Sequence, residues 1–144
     1  MVRMILQETY VIYDSIYGDA MSSDTSNNYT KVGGSLTFDT DHLVLTRTAD
    51  GECYYEIRPT VTDYLGKTIK FECDVNSEQN AQIRIFQYVN GAYQIASSSV
   101  SKTGTLTASG TISSSATVLI FRVIGNNLNM SETLESKNFK IYTV

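Results

Sequence analysis

The chain has 144 residues, of which 42% are hydrophobic and only 18% charged, and its net charge at pH 7 is -4. That length suits one domain able to bury roughly two-thirds of its unfolded surface; the 16 Ser and 17 Thr that take the place of charges point to β-structure and away from a helical bundle, a coiled coil or a disordered tail. The 11 Lys and Arg are scattered singly, which excludes the basic patch of a nucleic-acid binder and a polybasic membrane anchor, and no apolar run approaches the ~18 residues of a membrane span.

The first predicted strand covers 4–13, within an opening segment 1–13. Met1 to Leu6 holds one Arg and a few apolar residues, a run too short for a signal-peptide core and without a small-residue cleavage site, so no signal peptide is expected in this chain. Residues 14–34, hydroxyl-rich and punctuated by Gly and Asp, read as a long loop ahead of a sandwich body at 35–144. Pro59 is the single proline and no linker splits the chain, so 1–144 reads as one domain. Strands are predicted over 35–39, 42–48 and 52–58, the last two joined as a hairpin by Asp50-Gly51. Strands at 67–75 and 81–88 follow, and Asn90-Gly91 joins the latter to 92–99 in a second hairpin. Strands at 104–112, 116–124 and 138–143 complete the set. The stretch 97–115 carries 12 Ser or Thr, yet Val100, Leu106 and Ile112 among them fit strands with a polar outer face. Apolar spacing of the helical kind is sustained nowhere. Nine or ten short alternating strands predict an all-β fold, a two-sheet antiparallel β-sandwich.

Alternation also assigns faces. Cys53, Tyr55 and Ile57 share one side of their strand, and Ile69, Phe71, Cys73 and Val75 one side of theirs. Both cysteines therefore point inward, either as separate reduced thiols or as a pair that meets. In 81–88, Ile83 and Ile85 face the core, which turns Gln82, Arg84, Phe86 and Tyr88 outward. In 116–124, Leu119, Phe121 and Val123 go in, leaving Val118, Ile120 and Arg122 out. If these strands are neighbours, Arg84, Phe86, Tyr88, Ile120 and Arg122 line one partly apolar face, with Tyr54 and Tyr93 at its edge. Sugar recognition needs this mixture, because aromatic rings cover the C–H surface of a pyranose while Arg and Gln donate to its hydroxyls. A protein interface would use the same face, and a bulge would return Phe86 to the core.

Asp39 and Asp41, with Asp14, Asp19 and Asp24 nearby, offer the oxygen ligands that calcium prefers, although Asp also ends strands and caps turns. His42 is the lone histidine, and no Ser stands in a Gly-x-Ser-x-Gly elbow. Glu52 and Glu56 share an outward face beside Arg58 and read as a solvated surface rather than a glycosidase pair. No enzyme and no cofactor is expected.

Several segments match a known pattern: Leu65 to Val75 (LGKTIKFECDV), Asn90-Gly91-Ala92-Tyr93, Thr117 to Val123 (TVLIFRV) and Asn138 to Tyr142 (NFKIY). With them, the stretch from Tyr54 to Val144 resembles the jelly-roll, galactose-binding-like carbohydrate-binding modules. Upstream, Asn28 to Leu36 and Asp41 to Leu45 resemble the opening of such modules in phage tail and cell-surface proteins. The resemblance implies a jelly-roll sandwich and a non-catalytic carbohydrate-binding domain of a larger surface-exposed or phage tail or baseplate assembly. Its implied partners are a polysaccharide or cell-wall glycan and sister domains or subunits, at a virion or cell surface. The competing expectation is a structural or oligomerisation domain with no sugar ligand. Many members hold a structural calcium by a carboxylate just before the last strand, where this chain has Lys137-Asn138. Many also stack a Trp on the sugar; this chain has none, which leaves Tyr and Phe.

Overall fold

Nine strands form over residues 15–144, the part of the chain that the computed structural model describes; the predicted strand at 4–13 lies outside the described residues. They are β1 (Ser15–Asp19), β2 (Thr30–Val32), β3 (Gly34–Asp39), β4 (His42–Arg47), β5 (Tyr54–Ile57), β6 (Thr68–Val89), β7 (Ala92–Thr111), β8 (Ala116–Gly125) and β9 (Thr133–Thr143). All pair antiparallel, in the order β2-β5-β8-β6-β9-β4-β3, with β1 on β9 and β7 on β6. Among the described residues there is no α-helix, only two three-residue 3-10 turns.

One continuous hydrogen-bonded network becomes two layers because β6 and β7 are long enough to serve both. The first half of β6 pairs with β9, and its second half, from Ala81, pairs with β8. Between them the β6–β7 register slips: Asn76 faces Thr103 and Ala81 faces Ser101, so four residues of β6 oppose only Lys102. A bulge of this kind bends and twists a strand. The front layer is β2-β5-β8, the second half of β6 and the first half of β7. The back layer holds β3, β4, β1, β9 and the remaining halves. Sequence alternation predicts four strands in this stretch, at 67–75, 81–88, 92–99 and 104–112. They are two, because the polar residues at 76–80 and 101–103 turn a corner of the sandwich without leaving the ladder.

The rings between the layers show how it closes. Phe71 from the back layer meets Phe121 from the front edge-on at 5.3 Å, and Phe139 at 4.7 Å. Tyr29 packs on Tyr55 at 4.9 Å. Of the inward sets assigned from alternation, Ile83, Ile85, Leu119, Phe121 and Val123 are fully buried, while Ile57 is half-buried against the core. Each such side chain contributes roughly 1.5–3 kcal/mol by leaving water. Cys53 and Cys73 are both buried and both free thiols.

Three expectations give way. The segment 14–34 is not one loop: β1 pairs with β9 and β2 with β5. Between them the Asp19 carboxylate accepts from the Met21 backbone N–H (2.8 Å), the Thr25 hydroxyl (2.6 Å) and the Tyr29 hydroxyl (2.7 Å). Asp50-Gly51 makes a turn but no hairpin, because both edges of β4 are already taken by β3 and β9 and the chain crosses to β2 and β8 instead. Val100 points outward, opposite Gln82, because the register slips between Ile85/Ser97 and Phe86/Ile95; Leu106 and Ile112 do enter the core. Asn90-Gly91 is a true two-residue hairpin. Val89 pairs with Ala92, and both turn residues have positive φ (52° and 83°), as the Asn-Gly pair favours.

Candidate functional site: an arginine-lined face of the front layer

Pairing fixes which side chains share the outer surface of the front layer. One row runs Glu56–Arg122–Arg84 across β5, β8 and β6; the next runs Ile120–Phe86–Ile95, and the last Val118–Tyr88–Tyr93. On the other side of the arginine row lie Tyr54, Ile124 and Gln82. All seven predicted residues, Tyr54, Gln82, Arg84, Phe86, Tyr88, Tyr93 and Arg122, therefore share one side of the front layer, with Tyr54 and Gln82 buried within it. Two pairing relations that the sequence does not state, β6 with β8 and β8 with β5, bring them there.

Glu56 organises this surface, and the sequence reading of it as a solvated residue is wrong. It is only 1% exposed. Its Oε1 accepts from Nε of Arg122 at 2.8 Å, with Nη2 of the same guanidinium ion-paired to it at 2.8 Å, and its Oε2 accepts from Nε of Arg58 at 2.6 Å. That bond holds the Arg58 guanidinium above its ordinary range. Above the carboxylate, the Arg122 guanidinium lies 3.8 Å from the Tyr54 ring centre and 4.6 Å from that of Phe86. Cation–π contacts of this kind contribute roughly 0.5–2 kcal/mol each. One face of each ring is thus taken by Arg122. Tyr88 and Tyr93 remain as stacking surfaces, edge to face at 4.7 Å, with Tyr93 55% exposed. The Glu56-x-Arg58 spacing was a readable signal that the two share a face; the partnership with Arg122 was not.

Arg84 stands opposite Arg122 in the ladder. With its oxygen turned toward Arg84, the Gln82 carboxamide accepts from Nε at 2.9 Å and Nη2 at 3.1 Å. The guanidinium lies 5.8 Å from the Phe86 ring centre. Three hollows line up around these groups. One of about 260 Å³ is bounded by Arg58, Phe86, Tyr93, Ile120 and Arg122. A second, of about 420 Å³, continues past Arg58 to Asn28 and Tyr17. A third, of about 500 Å³, lies beyond Arg84 toward Arg47, Glu52 and Asn126. Shared walls at Arg58 and neighbouring walls at Arg84 and Arg122 make them stations along one surface.

The aspartates lie elsewhere. Asp39 and Asp41 occupy the β3–β4 turn on the back layer, where Asp39 takes the Thr40 hydroxyl and Asp41 takes Lys137 Nζ at 3.1 Å and His42 Nδ1 at 2.9 Å. Asp24 accepts from the backbone N–H and the hydroxyl of Ser26; Asp14 lies outside the described residues. Among the described residues the candidate carboxylates are each engaged by groups of their own. Lys137 is a cation in place of the carboxylate, Asn138 is bonded to Asp74 at 2.7 Å, and Asp19 is filled by its own loop. Among the described residues no three His, Cys, Asp or Glu side chains are placed to share a metal.

The fold is an all-β jelly-roll sandwich, and the solved structures it is similar to are carbohydrate-binding modules. The chain is similar to the CBM22-1–GH10 modules of the Clostridium thermocellum xylanase 10B complexed with xylohexaose (TM-score 0.67, 7% identity), with 91% of this chain covered but only 28% of that one. It is similar to the CBM22-1 xylan-binding domain of Paenibacillus barcinonensis Xyn10C (0.65, 12% identity, covering 94% of this chain and 98% of that one). It is also similar to a family 29 carbohydrate-binding module of Piromyces equi (0.59, 14% identity, 92% and 89%). At these identities the likeness is one of fold. No family profile and no curated protein matches the sequence.

Proposed function

We propose that this chain is a non-catalytic carbohydrate-binding domain of a larger surface-exposed assembly, a phage tail or baseplate being the setting its upstream segment resembles. The observation that carries the reading is the Arg122 guanidinium, held from below by buried Glu56 and flanked by Tyr54 and Phe86. A clamped guanidinium presents its remaining donors in a fixed direction with little rotamer entropy left to lose. Tyr88 and Tyr93 supply the apolar platform beside it. The similar xylan-binding domain and the modules complexed with xylohexaose support the same reading. A catalytic role is disfavoured because the one buried carboxylate of the surface is engaged by two arginines. Each site is shallow, so several copies in one assembly supply avidity.

Titration of the full chain against a panel of soluble polysaccharides, xylan included, tests this. Binding to at least one glycan that falls about tenfold or more in Tyr93→Ala supports the reading. Absence of binding to every glycan, with a stable oligomer in sedimentation that buries Tyr93 and Ile95, favours a structural domain instead.

A further inference from the structure

We infer that the surface takes an acidic glycan, a chain bearing carboxylates or sulfates, with Arg84 as its anion-binding residue; this rests on the glycan-binding reading and names its ligand class. Four of the chain's five arginines, Arg47, Arg58, Arg84 and Arg122, line the three hollows, and none of its six lysines does. They face two carboxylates, Glu52 and Glu56. A chain of net charge -4 has thus gathered positive charge on one face.

The charges there are not balanced in pairs. Glu56 serves Arg122 and Arg58 together. Arg47 donates to the backbone carbonyls of Ala49 and Leu128. Arg84 meets only neutral groups, the Gln82 carboxamide and the Phe86 ring, and among the described residues no carboxylate pairs with it. It also stands directly opposite Arg122 in the ladder, an arrangement of like charges that costs stability. The packing of the sandwich does not need that repulsion, and an anion placed between the hollow that Arg84 lines and the one that Arg122 lines relieves it. Arginine rather than lysine is the group whose planar fork takes a carboxylate or sulfate through two parallel hydrogen bonds. The Gln82 oxygen, itself on a buried residue, fixes one edge of the Arg84 fork and leaves the other toward the ligand.

The test is a titration of the full chain with polygalacturonate, dextran sulfate and neutral xylan at low and high salt, repeated with Arg84→Gln and Arg84→Lys. An acidic polymer is expected to bind about tenfold or more tightly than the neutral one, with most of the difference lost in high salt. Arg84→Gln is expected to remove most of that preference and Arg84→Lys to restore part of it, with the melting temperature as the check on folding. Whichever of polygalacturonate and dextran sulfate binds more tightly identifies the anion. Neutral xylan bound as tightly as both acidic polymers, or an acidic preference untouched by Arg84→Gln, overturns the inference and leaves the glycan-binding reading standing. Failure of all three polymers and of the wider panel overturns both.

Discussion

Glu56 and Arg122 sit directly opposite each other on β5 and β8, and both Nε and Nη2 of the arginine reach one carboxylate oxygen at 2.8 Å. The carboxylate is almost wholly out of water. A buried charge pair of this kind adds little net stability over an apolar pair, but losing one partner strands the other.

Removing the carboxylate is therefore expected to be costly. Glu56→Ala should destabilise the domain by about 3 kcal/mol, since Arg122 and Arg58 then face Arg84 with no counter-charge beneath them. Glu56→Gln, which keeps an acceptor, should cost less. The double variant Glu56→Gln/Arg122→Met should recover part of the loss. Urea unfolding of the three variants measures this, and equal stability of wild type and Glu56→Ala contradicts the role assigned to Glu56.

The two tyrosines at the hairpin should behave differently from the two rings that clamp Arg122. Tyr93→Ala is expected to weaken glycan binding about tenfold and leave stability within about 0.5 kcal/mol, because the ring is mostly exposed. Phe86→Ala should lower both, because that ring also supports Arg122 and Arg84. Calorimetric titration with parallel thermal melts separates the two patterns.

Much of this surface was legible from alternation. Gln82, Arg84, Phe86 and Tyr88 fall on one side of their strand whatever that strand pairs with, and Arg122 falls on the outer side of its own. Alternation misleads at Glu56 because it states only which side a residue takes. Whether that side is wet depends on the neighbouring strand, and β8 places Arg122 there. The Asp50-Gly51 turn misleads for a related reason: turn chemistry is local, but β4 was already paired on both edges. The bend in β6 is invisible to periodicity, since a register slip leaves each half alternating correctly. Asn90-Gly91 was legible because nothing competes with a two-residue turn between strands that both want to pair.

Gly33 provides a check on how the crossing from β2 to β3 is built. Its φ is +73°, and a Cβ there would lie 1.8 Å from the Glu52 carbonyl oxygen. Gly66 has nearly the same φ, +72°, with open space around it. Gly66→Ala should cost roughly 1 kcal/mol from backbone strain alone. Gly33→Ala should cost more than twice that, through the added clash with backbone. Similar losses for the two would contradict the close approach of β2–β3 to the segment before β5.

The single histidine reports on the back layer. Its hydrogen bond to Asp41, with Glu135 Oε1 at 3.9 Å on the other side, raises the His42 pKa above its ordinary 6.5. Asp41 is correspondingly lowered, by His42 first and Lys137 second. A raised histidine stabilises the fold fully below pH 6.5 and loses that contribution as pH rises through its folded value. The stability difference between wild type and His42→Ala should therefore shrink above pH 6.5. An NMR titration of the imidazole with a midpoint at or below 6.5 would count against this.

Burial pushes the Cys73 thiol up to about 12 and also raises that of Cys53. Neither presents a thiolate at neutral pH. Both should resist a thiol reagent in the native state and react together on unfolding, with two thiols titrated per chain in denaturant. One or no reactive thiol under denaturing, non-reducing conditions would mean that they are joined.

Glycan binding on the arginine-lined face is read most plainly from backbone and side-chain NMR shifts of the full chain during glycan titration. Shifts should concentrate at Tyr54, Arg84, Phe86, Tyr93 and Arg122, with the β3–β4 turn and β9 unmoved. Binding accompanied by shifts on the back layer around Asp41, Glu135 and Lys137, with the Arg84 and Arg122 side chains silent, would contradict a site on the arginine-lined face.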